Sequence, residues 1–215
     1  MYSGKELKDS LLLYAVTDRH WLKPGESLIE KVKEALDGGA SFIQLREKNL
    51  CEKEFEQEAV KIKALCAQYK VPFVINDNVE LAKKIDCDGV HVGQDDMEAS
   101  AVRKYLGSDK IVGVSAQTVE EALLAQKNGA DYLGVGAVFP TGSKDDAIEV
   151  APSELKKICQ TVDIPVIAIG GITEQNMFSL KDSGIVGIAV ISAIFAQNNI
   201  TEATKRLFNN CKKIF

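Results

Sequence analysis

The sequence predicts an α/β protein built as a single (β/α)8 barrel, and three observations predict it. Eight short apolar runs rich in Val and Ile recur along the chain, separated by stretches with helical spacing. Polar residues and glycines follow nearly every run, whereas the joints leading into the runs are plain Gly-Ala, Val-Pro and Ile-Pro steps. One helix-to-strand joint is used twice, as EALDGGA over 34–40 and EALLAQKNGA over 121–130. A barrel gathers all its strand ends round one mouth and works at that face alone, which accounts for the asymmetry. A doubly wound open sheet is the runner-up and would bind its ligand at one switch point. No composition shift or linker divides the chain, so residues 1–215 are assigned to one domain.

The strands are expected at Leu11–Val16, Ser41–Leu45, Pro72–Ile75, Gly89–Val92, Ile111–Val114, Tyr132–Val135, Pro165–Ile169 and Val186–Val190. Their length and branched residues suit parallel strands buried on both faces. The first helix, Ser27–Leu36, stops at Gly38-Gly39-Ala40, small residues that end helices. Glu54–Tyr69 is the long second helix. Val79–Ile85 is short, with apolar residues at 79, 81, 82 and 85. Val102–Leu106, Val119–Asn128, Pro152–Thr161 and Glu174–Asp182 continue the series, with stops at Asn128-Gly129-Ala130 and Ser183-Gly184. Thr201–Phe208 closes it.

The second strand runs into Gln44-Leu45-Arg46-Glu47-Lys48. Alternate side chains of an extended segment share a face, so Gln44, Arg46 and Lys48 project together as an amide and two cations. That is a receptor for phosphate or diphosphate, or else a strand that ends in solvated charges. Asn76-Asp77 follows the third strand and Gly93-Gln94-Asp95-Asp96 the fourth. Asp77 and Asp96 lie on adjacent strands and could share Mg²⁺, which is held by one or two carboxylates plus phosphate oxygens. Each also precedes a helix, and Asp77 has Glu80 three residues on, so each also reads as an N-cap.

Barrels often bind a phosphate monoester in the loops after strands seven and eight. Here those loops are Gly170-Gly171 and Ile191-Ser192. The sixth loop, Gly136–Val150, is the longest and carries Thr141, Gly142, Ser143 and Lys144, which makes it the candidate lid. His91 reads as a packed or hydrogen-bonded barrel residue, and Trp21 as packing at the mouth. Two anion sites of different design imply two substrates, with transfer from a diphosphate to an acceptor that carries a phosphate handle.

The totals exclude several classes. Of the 215 residues 46% are apolar and 27% charged, the balance of a soluble globular protein. The formal charge of −5 argues against nucleic acid or anionic lipid as a partner. No apolar run approaches the ~20 residues that span a bilayer, and residues 1–10 do not read as a secretory signal. The five cysteines form no CxxC pair, so zinc and disulfides are not expected and a reducing cytoplasm is. With only two histidines, a His-based triad or metal cage has little to draw on.

From Leu13-Tyr14-Ala15-Val16-Thr17-Asp18 to Ile191-Ser192-Ala193-Ile194 the chain resembles the thiamine phosphate synthase family. The likeness rests on Gln44 to Lys48, Ile75-Asn76-Asp77, Gly89 to Asp96, Gly113-Val114-Ser115, Gly134-Val135-Gly136, Pro140 to Lys144 and Ile169 to Ile172. It implies a barrel enzyme that joins hydroxymethylpyrimidine diphosphate to thiazole phosphate, giving thiamine phosphate and pyrophosphate. The implied chemistry is dissociative. Pyrophosphate leaves, and the thiazole nitrogen captures a methylene cation stabilised by the aminopyrimidine. By position, Gln44, Leu45, Arg46, Glu47, Lys48, Asn76, Ser115 and Lys144 would meet the pyrimidine diphosphate. Arg46, Lys48, Lys144 and Ser115 would carry the catalysis. Thr141, Gly142, Ser143, Gly171, Ile191 and Ser192 would hold the thiazole phosphate, and Asp77 and Asp96 would ligate Mg²⁺. By alternation Leu45 and Glu47 face away from Gln44 and Arg46 and read as structural. Ser143 stands where threonine is common in the family. The rivals are a thiazole tautomerase-like relative, which needs no diphosphate–metal site, and a non-catalytic sensor of phosphate ligands. The oligomeric state is left open, homo-oligomers included.

Overall fold

A computed structural model describes residues 4–142 and 149–215. Eight parallel strands close into a barrel in sequence order. They are β1 Leu13–Val16, β2 Phe42–Leu45, β3 Phe73–Asn76, β4 Gly89–Val92, β5 Ile111–Ala116, β6 Tyr132–Val135, β7 Val166–Ile169 and β8 Gly187–Val190. Among the described residues the helices are α1 Gly4–Ser10, α2 Leu28–Asp37, α3 Glu52–Tyr69, α4 Val79–Lys84, α5 Ala99–Leu106, α6 Val119–Lys127, α7 Pro152–Thr161, α8 Ser192–Phe195 and α9 Ile200–Ile214.

Register decides which side chains enter the barrel. Tyr14 stands opposite Phe42, Gln44 opposite Val74, Asn76 opposite His91, and His91 opposite Gly113. The ring continues through Ser115 with Gly134, Gly134 with Ile167, and Ile169 with Ala189, and closes on Tyr14. One parity of every strand therefore points inward. The inner core is Tyr14, Val16, Phe42, Val74, Ile111, Tyr132, Ile167 and Ala189, with Leu7 of α1 and Leu11 beneath it. The other parity, including Leu13, Ala15, Ile43 and Leu45, packs under the helices. Gly113 is required by the inner packing: a Cβ there would sit 2.2 Å from Cζ of Tyr132. The missing side chain lets the Tyr132 ring lie across β5.

The helices follow their apolar spacing. α2 buries Leu28, Val32, Ala35 and Leu36 on one stripe and ends at Gly38, followed by Gly39 at φ 100°. One expected helix does not form. Over 174–182 there is only a 3-10 turn, Met177–Leu180. Its two buried residues, Met177 and Leu180, are three apart, which is the 3-10 repeat. The Asn176 side chain also bonds Thr173 and Gly171, which commits the segment to a turn.

Candidate active site

The C-terminal ends of the strands enclose a cavity of about 500 Å³. Its wall is built by alternation. Gln44 and Arg46 enter it from β2, while Leu45 is fully buried under the helices. Glu47 also turns away, with a side chain only 2% exposed and bonded to Arg19 at 3.0 Å. Arg19 bonds Glu58 as well, so Glu47 belongs to a packed ion-pair cluster beside the mouth. Burial raises the Glu47 carboxyl above its ordinary range, against the opposing pull of Arg19. Buried Thr17 fixes the end of β2 by accepting the Arg46 backbone N–H at 3.0 Å. The Arg46 guanidinium reaches Asp18 at 3.5 Å, a long pairing that leaves donors for a ligand. Lys48 lines a smaller recess with Asp18, Arg19, His20, Glu47, Asn49 and Gly142, and Arg46 joins it to the main cavity.

The two acids hold unusual positions. Asp77 follows β3 at φ 61°, a left-handed conformation that non-glycine residues adopt at a cost. Its backbone N–H bonds the His91 carbonyl at 2.8 Å, and its carboxylate accepts from the Asn76 amide. The cap of α4 is Asn78, which accepts from Leu81 N–H, so Asp77 is not a capping residue. Asp96 is not one either. α5 begins only at Ala99, and the Asp96 carboxylate accepts Gly93 N–H at 2.7 Å, closing the turn after β4. Both acids line the main cavity. Among the described residues no cluster of three or more His, Cys, Asp or Glu could cage a metal. Two carboxylates at an open wall fit Mg²⁺ completed by substrate oxygens and do not fit a closed structural site.

The far wall comes from β5 to β8. Ser115 lines the cavity, and its carbonyl accepts from Gln94 at 2.6 Å. Gly170 and Gly171 have φ of 98° and 63°. A Cβ on Gly171 would sit 2.4 Å from the Pro140 carbonyl, so glycine lets the loops after β6 and β7 meet. Ile191 and Ser192 line the same wall where α8 opens. Thr141 lines the main cavity and Gly142 the smaller recess. Ser143 and Lys144 lie outside the described residues, as do residues 145–148 of the lid candidate.

A chain of buried polar groups runs along the floor of the cavity, which Tyr14 and His91 line together with Gln44 and Ser115. Gln44 Nε2 donates to Tyr14 Oη at 2.6 Å. Tyr14 Oη is 2.8 Å from Tyr132 Oη, Tyr132 Oη is 3.0 Å from His91 Nδ1, and His91 Nε2 is 3.0 Å from Ser115 Oγ. Burial raises both tyrosine hydroxyls well above their ordinary pKa, so they stay protonated. Sequence reasoning placed Gln44 and Ser115 in the site and missed the two tyrosines. They stand in apolar runs and read as core. Their parity with Gln44 and Ser115 along the strands was the available signal.

The model of the family described as thiamine monophosphate synthase matches residues 13–194. A thiamine-phosphate synthase of Clostridium tetani is 50% identical over 195 residues, covering 91% of this chain and 93% of that protein. One of Methanobrevibacter smithii is 48% identical over 202 residues, covering 94% of this chain and 96% of the relative. The solved thiamine phosphate pyrophosphorylase of Pyrococcus furiosus superposes with a TM-score of 0.90 at 38% identity, over 97% of this chain and 99% of that one. Sequence and fold agree, and the chain belongs to the thiamine monophosphate synthase family.

Proposed function

We propose that this protein is a thiamine phosphate synthase acting on hydroxymethylpyrimidine diphosphate and thiazole phosphate. One observation carries the reading: Arg46, the Asp77–Asp96 pair and the Gly171–Ser192 wall line a single cavity. A cation and two carboxylates suit a diphosphate with its metal, and the glycine wall suits a phosphate monoester. A tautomerase-like relative would need only the second half.

In the reaction the bond between the pyrimidine methylene carbon and the diphosphate oxygen breaks. The thiazole nitrogen forms the new bond to that carbon, and pyrophosphate departs with the electron pair. Arg46 and Lys48 stabilise the charge that develops on the leaving oxygens, and Asn76 and Ser115 add hydrogen bonds. Gln44 orients the pyrimidine. Gly171, Ile191 and Ser192 fix the thiazole phosphate at the opposite wall, so both reactants meet in one orientation. Thr141, Gly142, Ser143 and Lys144 belong to the loop that reaches both subsites. Asp77 and Asp96 would hold Mg²⁺, which when bound supplies further positive charge to the diphosphate. No step needs a strong base, in keeping with two histidines in the whole chain.

Five free cysteines accord with a reducing compartment such as the cytoplasm. Among the described residues no helix is long and apolar enough to cross a membrane. The deciding experiment mixes both substrates with Mg²⁺ and follows product. Thiamine phosphate and pyrophosphate should form in equal amounts, chelation should stop the reaction, and excess Mg²⁺ should restore it. Folded protein that yields neither product would refute the proposal.

A further inference from the structure

The polar chain along the cavity floor has ends that the proposed reaction uses and a middle that it does not. Gln44 and Ser115 face the substrates, whereas Tyr14, Tyr132 and His91 have been given no role. Tyr14 and Tyr132 are 1% and 0% exposed, so they satisfy one another without bulk water. Among the described residues no buried side-chain nitrogen or oxygen lacks a partner. Each hydroxyl has one proton to place, and this fixes the order of donors and acceptors along the chain.

The order is set at Gln44, whose amide nitrogen only donates. Tyr14 Oη accepts that proton and places its own on Tyr132 Oη. Tyr132 Oη then donates to His91 Nδ1. A neutral imidazole that accepts at Nδ1 carries its proton on Nε2 and donates from there to Ser115 Oγ. The Ser115 proton is left over for the cavity. At the other end Gln44 has spent an N–H, and its carbonyl oxygen remains an acceptor. Reversing one link alone would make two neighbours both offer or both lack a proton. The chain therefore runs in one direction throughout, forward with the Gln44 nitrogen toward Tyr14, and backward only if the amide were turned round.

We propose that Tyr14, Tyr132 and His91 are positioning residues that hold His91 as the Nε2–H tautomer and so present Gln44 as an acceptor and Ser115 as a donor to the substrate. The identity of that substrate, an aminopyrimidine diphosphate, rests on the function proposed above. Its amino group is a donor that suits the Gln44 oxygen, and its diphosphate oxygens are acceptors that suit the Ser115 hydroxyl. A backward chain would exchange both roles and meet the same substrate with two mismatches.

The tautomer is read directly by ¹⁵N NMR of the imidazoles in the full chain. There are two histidines, and a His20→Gln variant identifies which signals belong to His91. The expected result is a protonated Nε2 and an unprotonated Nδ1. A proton on Nδ1, alone or together with Nε2, overturns the proposal. Tyr132→Phe should leave His91 in a mixture of tautomers. It should also lower kcat/KM for the pyrimidine diphosphate about tenfold, the cost of one lost hydrogen bond, with KM for the thiazole phosphate unchanged. Tyr14→Phe should do the same to turnover. The double variant should be no worse than either single one, because the chain fails as a unit. Losses that multiply to about a hundredfold would show two independent structural roles and refute it. If the protein makes no thiamine phosphate, the assigned function fails while the NMR spectrum still decides the chain.

Discussion

At the closed end of the barrel Arg103 spends its guanidinium on the protein itself, and at the mouth Arg46 does not. Arg103, from α5, bonds the carbonyls of Gly107, Lys110 and Gly129 and the Asp131 carboxylate. Arg46 is more deeply buried, yet its ion pair with Asp18 is 3.5 Å long and its donors face a cavity. The same contrast holds for the backbone. Lys70, Asp86 and Asp182 adopt φ of 56°, 51° and 63° just where helical segments end, the usual place for a left-handed residue. Asp77 adopts φ 61° directly after a strand, where no helix needs stopping. The closed end uses polar groups and strained residues to finish the fold. The mouth holds the same kinds of residue ready for something else, which is how a binding site differs from a structural joint.

The largest expected effect tests the mouth. Arg46→Met should reduce turnover about 10²- to 10³-fold, the scale of losing one preorganised charge partner, while the melting curve barely moves. Asp77→Asn keeps a residue that tolerates the left-handed conformation and should lose Mg²⁺-dependent turnover to a similar degree. Retained turnover with a lowered melting temperature would place both residues in the structural class with Arg103.

Arg103→Met is the converse. It strands several partly buried carbonyls and should cost about 2–3 kcal/mol of stability, measured as a lower denaturant midpoint. The fraction that remains folded should turn over normally. A glycine at each left-handed aspartate makes a finer comparison. Asp86→Gly and Asp77→Gly both relieve backbone strain, and each should change stability by less than about 1 kcal/mol. Only Asp77→Gly should lose activity. Equal activity in the two variants would erase the distinction between the ends of the barrel.

The barrel was legible because parallel strands buried on both faces are nearly pure apolar runs, and because glycine and polar residues fall after strands and not before them. The Glu174–Asp182 helix was misread, since two apolar residues three apart suit a 3-10 turn as well as an α-helix, and Asn176 decides between them from its side chain. The cavity-facing residues Gln44, Arg46, Asn76, Asp77, Asp96 and Ser115 announce themselves as polar residues at strand ends. Tyr14 and Tyr132 do not. Each lies within an apolar run, and only closure of the barrel shows that their hydroxyls meet 118 residues apart in sequence. The capping roles expected of Asp77 and Asp96 failed because the chain makes a sharp turn after each strand before its helix begins, a detail of φ that composition does not carry.

Glu47 supplies the smallest and most discriminating test, because it lies beside the substrate-facing residues of its own strand end. Position within the family motif would have it touch the pyrimidine diphosphate, whereas alternation turns it away, and the structure shows it on Arg19. Glu47→Gln removes a buried charge whose desolvation already opposes its pairing with Arg19, and Arg19 still has Glu58, so stability should change by less than about 1 kcal/mol. Turnover should stay within about twofold, against the 10²-fold or greater loss expected at Arg46. The pH dependence has a definite sign. Burial holds the Glu47 carboxyl above its unfolded value, so the folded chain binds this proton more tightly. From about pH 4.3 upward the wild type should lose stability relative to the variant until the folded carboxyl has ionised, and the difference should be constant beyond that point. A large loss of turnover with an unchanged pH–stability curve would move Glu47 into the substrate site and make the whole strand end catalytic, not only the alternate residues that face the cavity.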